Sequence, residues 1–428
     1  MSNDDAARAA EAIRTDESAR RTMHRRVLMV VMAGQVLGGA GLAAGVTVGA
    51  LLAQQMLGSE SVSGLPTALF TLGSALTAYL IGRITQRHGR RLGIGLGFSA
   101  GGLGAVGVVI AAVTGNVVLL FIALFVYGAG TATNLQARYA GTDLAPPSGR
   151  GRAVSVALVA TTLGAVAGPN LVAPLGTLAT ALGIPPLAGP FLLAAVAYLA
   201  AGAVLFALLR PDPFLVARRL EQTSTTPAPA ADTPVGTGVT VGATVMVLTQ
   251  IAMVAIMTMT PVHMRVHGHG LTEIGLVISI HVAAMFLPSL VTGALVDRVG
   301  RTPMAVASGV TLLLAGLTAA FAPADSLLML IVALALLGLG WNLGLISGTA
   351  LLIDATTPAN RARVQGTVDV LIALSGAGGG ALSGIVVAEA GFPTLSLSGG
   401  LIALLLIPVL VHGRRTDRAA AAGAESGG

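Results

Sequence analysis

The chain has 428 residues, of which 54% are hydrophobic and 10% charged, and its mean hydropathy is +0.85. A soluble domain carries about 25% charged residues, so this composition excludes a water-exposed globular surface. The net charge is +6, every basic residue is arginine, and cysteine is absent, which excludes a disulfide framework, a thiolate metal site and an iron–sulfur cluster.

In chain order, residues 1–26 are polar and are expected to be a cytoplasmic N-terminal tail. No signal peptide is expected, because the first apolar run is too long for a signal core. Apolar runs predict twelve spanning helices over 27–52, 62–85, 92–113, 117–137, 152–174, 187–209, 241–264, 272–296, 303–322, 326–350, 363–388 and 393–411. Each approaches or exceeds the ~20 residues that cross a bilayer, and in lipid the backbone polar groups must be satisfied within helices. The predicted organisation is a six-helix bundle over 27–209, a cytoplasmic linker over 210–240, a second bundle over 241–412 and a cytoplasmic tail over 413–428. Within the linker, the Thr/Pro/Ala-rich stretch 223–234 reads as mobile. Glycine, Ala, Ser and Thr inside the spans suit close helix packing.

Arginine sets the expected orientation. Twenty-three of 24 fall on one side of the predicted spans; Arg265 is the exception. The positive-inside rule then places both termini in the cytoplasm of a multi-pass protein of the cytoplasmic membrane. Once mapped this way, the basic charge argues against a nucleic-acid partner; the lipid bilayer is the partner it implies.

A repeat is visible. Gly82-x3-Gln86-Arg87-x-Gly89-Arg90 recurs 211 residues later as Gly293-x3-Asp297-Arg298-x-Gly300-Arg301, and Asp143, Arg150 and Arg152 recur at the same offset as Asp354, Arg361 and Arg363. One offset for two motifs implies a duplicated six-helix unit, and parallel repeats of this kind predict a binding site near the membrane midplane.

These residues resemble the major facilitator superfamily, and the resemblance covers about residues 27–412. It implies an all-α membrane fold of two six-helix bundles related by a pseudo-twofold axis. It further implies a monomeric secondary transporter, not an enzyme, and no bound cofactor. In that family the loop motif forms a cytoplasmic latch. By resemblance, Asp297, Arg298 and Arg301 belong to it, with Asp143, Arg150, Arg152, Asp354, Arg361 and Arg363 as partners. Gln86 stands where the family usually has Asp, so the first copy of the latch is expected to be weaker. Gly164-x3-Gly168-Pro169 in the fifth span resembles a signature of proton-coupled drug exporters, and is also an ordinary packing pattern.

Polar groups inside spans mark candidate sites. The first half offers only Gln35 and Asn170 as notable exceptions to apolar composition. In the second half, Met253 and Met257 lie four residues apart in the seventh span, as do His281 and Met285 in the eighth. Residues at this spacing share a helical face. At ~1.5 Å per residue from the outer ends, Met257, His281, Met253 and Met285 fall ~10, ~13, ~16 and ~19 Å deep. Three thioethers and an imidazole form a soft, neutral set suited to Cu(I); zinc prefers thiolate, His or carboxylate. His263, Met264 and Met259 are candidate collecting residues at the outer end. Asp369 and His281 are candidates for proton coupling.

Met-x3-Met followed by His-x3-Met resembles the CcoA-type copper importers of the same superfamily. The resemblance implies that Met253, Met257, His281 and Met285 are the ligands, with copper as the transported substrate. That branch also includes riboflavin importers, so import of riboflavin or another organic solute is the alternative, alongside a proton-coupled exporter of drugs or metabolites.

Overall fold

The computed structural model describes residues 2–57, 65–223, 237–323 and 325–410. Its helices are α1 (Ser2–Thr15), α2 (Glu17–Leu57), α3 (Leu65–His88), α4 (Arg90–Thr114), α5 (Val117–Ala140), α6 (Arg150–Asn170), α7 (Val172–Ala181), α8 (Gly189–Leu208), α9 (Pro213–Gln222), α10 (Thr237–Val266), α11 (Leu271–Phe286), α12 (Ser289–Val299), α13 (Arg301–Phe321), α14 (Leu327–Asp354) and α15 (Arg361–Leu404). Nine segments of the described residues are long and apolar enough to cross a membrane. One of these, Arg361–Leu410, contains the last two predicted spans. With α2 and α6, which hold the first and fifth predicted spans, the helices account for a twelve-helix membrane protein.

Local chemistry explains where helices break. Gly391 adopts φ 82° inside α15, with Pro393 two residues on, and divides the eleventh span from the twelfth. Pro288 separates α11 from α12; it lacks the N–H that would continue the ladder. Three helices stand where no helix was expected. The α1 segment lies in the predicted polar tail and buries Ala6, Ala10 and Ile13, a one-faced apolar stripe. The α7 segment is a short apolar helix following the fifth span. The α9 segment occupies the start of the predicted linker, and Asp212 caps it by accepting from the Phe214 and Leu215 amides at 3.0 and 3.2 Å. The rest of the linker, residues 224–236, lies outside the described residues, as does the tail beyond 410.

The chain forms two compact units. One comprises Met1–Pro146, Val156–Ala231 and Pro358–Leu374; the other comprises Pro147–Ser155, Asp232–Thr357 and Ser375–Gly428. The first turns of α6 therefore belong to the second unit, and the first turns of α15 to the first. The first unit packs α4 between α5 and α8, around the rings of Phe98, Tyr127, Phe191 and Tyr198. Tyr127 and Phe191 meet edge-on at 5.3 Å between centroids, and the Tyr127 hydroxyl donates to the Gly41 carbonyl at 2.5 Å. In the second unit α14 is the central element, packed by α10, α11 and α13.

Gly89, between α3 and α4, has φ 93°, and a Cβ there would run into the Asp212 carboxylate. Gly115 also has a positive φ, 65°, but a Cβ there meets nothing within 4 Å. Left-handed backbone costs a non-glycine residue ~1–2 kcal/mol. Gly115→Ala is expected to lose about that much, and Gly89→Ala clearly more, read as the difference between their thermal unfolding midpoints in detergent.

Candidate functional site

The repeated motif builds the same local structure twice. Asp297, near the end of α12, accepts from the Gly151 and Arg152 amides at 3.0 and 2.9 Å. Gln86, near the end of α3, accepts through Oε1 from the Ala362 and Arg363 amides at 3.1 and 3.3 Å. Those amides open α6 and α15, where backbone N–H groups have no partner within the helix. The two helix starts are 211 residues apart, as are the two capping side chains. Close approach is secured by glycine. A Cβ on Gly82 would lie 2.8 Å from the Ala362 carbonyl oxygen, and one on Gly293 would lie 2.6 Å from that of Gly151.

Gln86 caps its helix start with a different set of contacts from Asp297. The glutamine loses the carboxylate charge, which favours a helix N-terminus. Its Nε2, however, donates to the Pro358 and Ala359 carbonyls at 2.9 and 2.7 Å, bonds that an aspartate is unable to make.

Behind each cap lies an ion pair. Arg90 binds Asp143 through Nε and Nη2 at 2.9 and 3.2 Å, and Nη2 also donates to Gln365 at 2.6 Å. Both charged side chains are buried. At the repeated positions, Arg301 Nε donates to Asp354 at 2.9 Å, Arg150 pairs with the other Asp354 oxygen at 2.5 Å, and Arg301 also donates to the Pro147 carbonyl at 2.6 Å. This second cluster is more open, with Asp354 35% exposed. Arg152, Arg298 and Arg363 are exposed; Arg361 is buried.

Asp369 was a candidate on position alone. The structure supplies the partners that sequence reading missed: Arg138 Nη2 donates to it at 2.9 Å and the Tyr139 hydroxyl at 3.3 Å. All three side chains are buried, and the second Asp369 oxygen has no hydrogen-bond partner. Arg138 also donates to Tyr139 at 2.7 Å and to the Leu135 carbonyl. The pair has no copy in the repeat, where Thr349 and Leu158 occupy the equivalent positions. The available signal is an Arg-Tyr pair at the edge of the fourth predicted span; α5 extends to Ala140 and takes both residues into the helix.

The second unit carries the soft residues. Met253 is buried, while Met257, Met259 and Met285 are half-buried. His281 is fully buried; its Nδ1 lies 2.9 Å from the Leu334 carbonyl of α14, while Nε2 has no partner. A carbonyl accepts only, so Nδ1 is the protonated nitrogen and Nε2 offers a lone pair. Helices α10 and α11 pack chiefly on α14 and touch each other only narrowly. Among the described residues, no group of three His, Cys, Asp or Glu is placed to hold a metal ion. At the C-terminal end of α10, Met264 is fully buried and His263 stacks on Phe392 at 4.2 Å, 14° from parallel.

Neutral polar groups surround this region. Trp341 Nε1 donates to Gln250 Oε1 at 2.8 Å and meets Phe286 edge-on at 5.8 Å. Asn342 donates to Ser289 Oγ and the Met285 carbonyl, each at 2.7 Å. In the first unit, Gln35 donates to Thr161 at 3.2 Å, and Asn134 is buried with its amide nitrogen unpartnered. Gly164 is a packing residue, since a Cβ there would strike the α2 backbone. The side chains of Pro169 and Asn170, and the surroundings of Gly168, lie outside the described residues.

The family model described as Major Facilitator Superfamily matches residues 30–272 and 241–427. The chain belongs to the Major Facilitator Superfamily. As a member it is a multi-pass membrane transporter rather than an enzyme. Among proteins of the superfamily it is 62% identical, over 92% of this chain and 93% of the relative, to the uncharacterized MFS-type transporter YdeG of Bacillus subtilis. It is 31% identical, over 91% of this chain and 96% of the relative, to the riboflavin transporter RfnT of Brucella anthropi. Its fold is that of solved superfamily members. The proton:xylose symporter XylE aligns at TM-score 0.73 and 17% identity over 90% of this chain and 95% of that one. The human organic anion transporter MFSD10 aligns at TM-score 0.70 and 16% identity over 90% and 99%.

Removing one partner of a buried ion pair typically costs ~3–5 kcal/mol, whereas replacing both with apolar residues is often neutral. Asp369→Leu is therefore expected to lower the unfolding midpoint sharply, and Arg138→Met/Asp369→Leu to recover most of the loss. Thermal melts of the two purified variants check this.

Proposed function

We propose that the protein is a secondary-active importer of a small, largely uncharged organic solute of the riboflavin class, working by alternating access. The observation that carries this reading is the 31% identity to a riboflavin transporter over 91% of the chain. The polar side chains of this region agree with it in chemistry. Gln250 and Trp341, coupled at 2.8 Å, with Asn342 and the free Nε2 of His281, provide neutral donors, acceptors and an aromatic face. Such groups suit a planar, hydrogen-bonding ring system.

The capped starts of α6 and α15, with the ion pairs behind them, act as the latch of the transport cycle: charge pairs that hold one state and part in the other. Proton coupling falls to Asp369, whose free oxygen lies beside the Arg138 bond. The arginine-rich end faces the cytoplasm with both termini, by the positive-inside rule, in a monomer of the cytoplasmic membrane.

A second reading is copper import through Met253, Met257, His281 and Met285. One observation favours it: His281 is held through Nδ1 by a backbone carbonyl and leaves Nε2 free, the arrangement usual for a metal-binding imidazole. The narrow contact between α10 and α11 and the riboflavin-transporting relative weigh toward the organic solute.

Uptake of radiolabelled riboflavin and of radioactive copper, in cells lacking their own importers, separates the two. Wild type is expected to accumulate riboflavin and not copper. Gln250→Ala is expected to lower riboflavin uptake about tenfold, the worth of one lost hydrogen bond. Copper accumulation that disappears in both His281→Ala and Met257→Ala would establish the second reading instead. Depletion of either substrate from loaded cells would mean export.

A further inference from the structure

We infer that the arginine-rich end of the first unit contains a binding site for a phosphate-bearing ligand, separate from the transport pathway. A cavity of about 430 Å³ opens there. Its wall is assembled from four places in the chain: Asp5 of α1, Arg87 and His88 at the end of α3, Arg91 at the start of α4, and Arg210 and Asp212 between α8 and α9. A water molecule's share of liquid volume is ~30 Å³, so the space admits a phosphate group together with the organic part that carries it.

The hydrogen-bonding state of the wall identifies the ligand's charge. Both carboxylates are already engaged. Asp212 accepts from the Arg91, Phe214 and Leu215 amides at 2.8, 3.0 and 3.2 Å, and Asp5 accepts from Arg8 at 2.8 Å. Arg91 is fixed through Nε to the Phe206 carbonyl at 2.7 Å. The side chains of Arg87, His88 and Arg210 are exposed and make no hydrogen bond or ion pair among the described residues. The cavity thus presents two free guanidinium forks and an imidazole, while the carboxylates are engaged: Asp212 by backbone amides, and Asp5 through one oxygen by Arg8. Paired guanidinium groups match the several acceptor oxygens of a phosphate better than a single carboxylate.

The carrier of the phosphate is either an anionic lipid headgroup at the membrane surface or a soluble phosphate ester. The N-terminal helix takes part, because α1 packs through Ala6, Ala10 and Ile13 against α9 and α2 and brings Asp5 to the rim. None of the transport chemistry proposed above uses this cavity, so the two readings stand or fall separately.

The test uses the full-length protein in detergent, titrated with monomeric dihexanoyl-phosphatidylglycerol and, separately, with inorganic phosphate. Wild type is expected to bind at least one probe. Arg87→Gln/Arg210→Gln is expected to weaken that binding by about tenfold or more, since charge-assisted hydrogen bonds contribute ~1.5–3 kcal/mol each. Arg265→Gln, which removes an exposed arginine of the other unit, is expected to bind as wild type does. Arg87→Lys/Arg210→Lys keeps the charge and is expected to retain part of the affinity; it serves as the readout where the glutamine variant fails to fold. Lipid binding that inorganic phosphate does not displace assigns the headgroup as the source. Displacement by phosphate assigns a soluble ester. Failure of wild type to bind either probe, or equal binding by wild type and the double variants, overturns the inference.

Discussion

Two side chains hold the opening amides of two helices, and the architecture is organised around those contacts. Gln86 takes the Ala362 and Arg363 amides, and Asp297 takes those of Gly151 and Arg152. Because of them, the first turns of α6 join the second unit and the first turns of α15 join the first. An uncapped helix start buried at such a crossing would leave N–H groups unsatisfied, at a cost of ~1–3 kcal/mol each. Glycine at 82 and 293 is needed for the same reason: the backbones approach too closely for a side chain. The buried Arg90–Asp143 pair and the more open Arg301–Asp354 pair then brace the two copies differently.

The duplication extends to the scaffold and stops short of the chemistry. The buried Arg138–Asp369 pair occurs only in the first unit, and the His281, Trp341 and Gln250 groups only in the second. A charge in lipid is tolerated only when paired or when it does work. An ion pair present in one copy alone is therefore hard to ascribe to folding that both copies share. Among the described residues, the Asp369 carboxylate and the His281 imidazole are each held through one atom and leave the other without a partner, and the buried Tyr198 hydroxyl is unpartnered as well.

Substrate chemistry turns on which atoms α14 gathers. That helix receives His281 through the Leu334 carbonyl, Gln250 through Trp341, and the Met285 carbonyl through Asn342. A list of thioethers at helical spacing suggests a soft-metal cage. With α14 packed by both α10 and α11, the same region also presents amides, an indole and an imidazole, groups suited to an organic ring. Membership of the Major Facilitator Superfamily is shared by transporters of sugars, anions and flavins, so the site rather than the fold carries the choice.

Apolar runs, arginine sidedness and the 211-residue repeat made the membrane fold legible without coordinates, because lipid leaves a chain few options beyond spanning helices. The capping and ion-pair positions were legible as well, since they repeat. The N-terminal helix and α9 were not: their alanines and few large apolar residues sit among charges, and only docking against each other reveals a buried face. Nor was the value of Gln86. Its type suggested a lost carboxylate, and only the neighbouring carbonyls of Pro358 and Ala359 show where its extra donor goes. Sequence by itself determined how many times the chain crosses and where it repeats, which depend on local composition. Tertiary structure alone decided which charge meets which. Arg138 and Asp369 are 231 residues apart, and no local pattern encodes a contact at that distance.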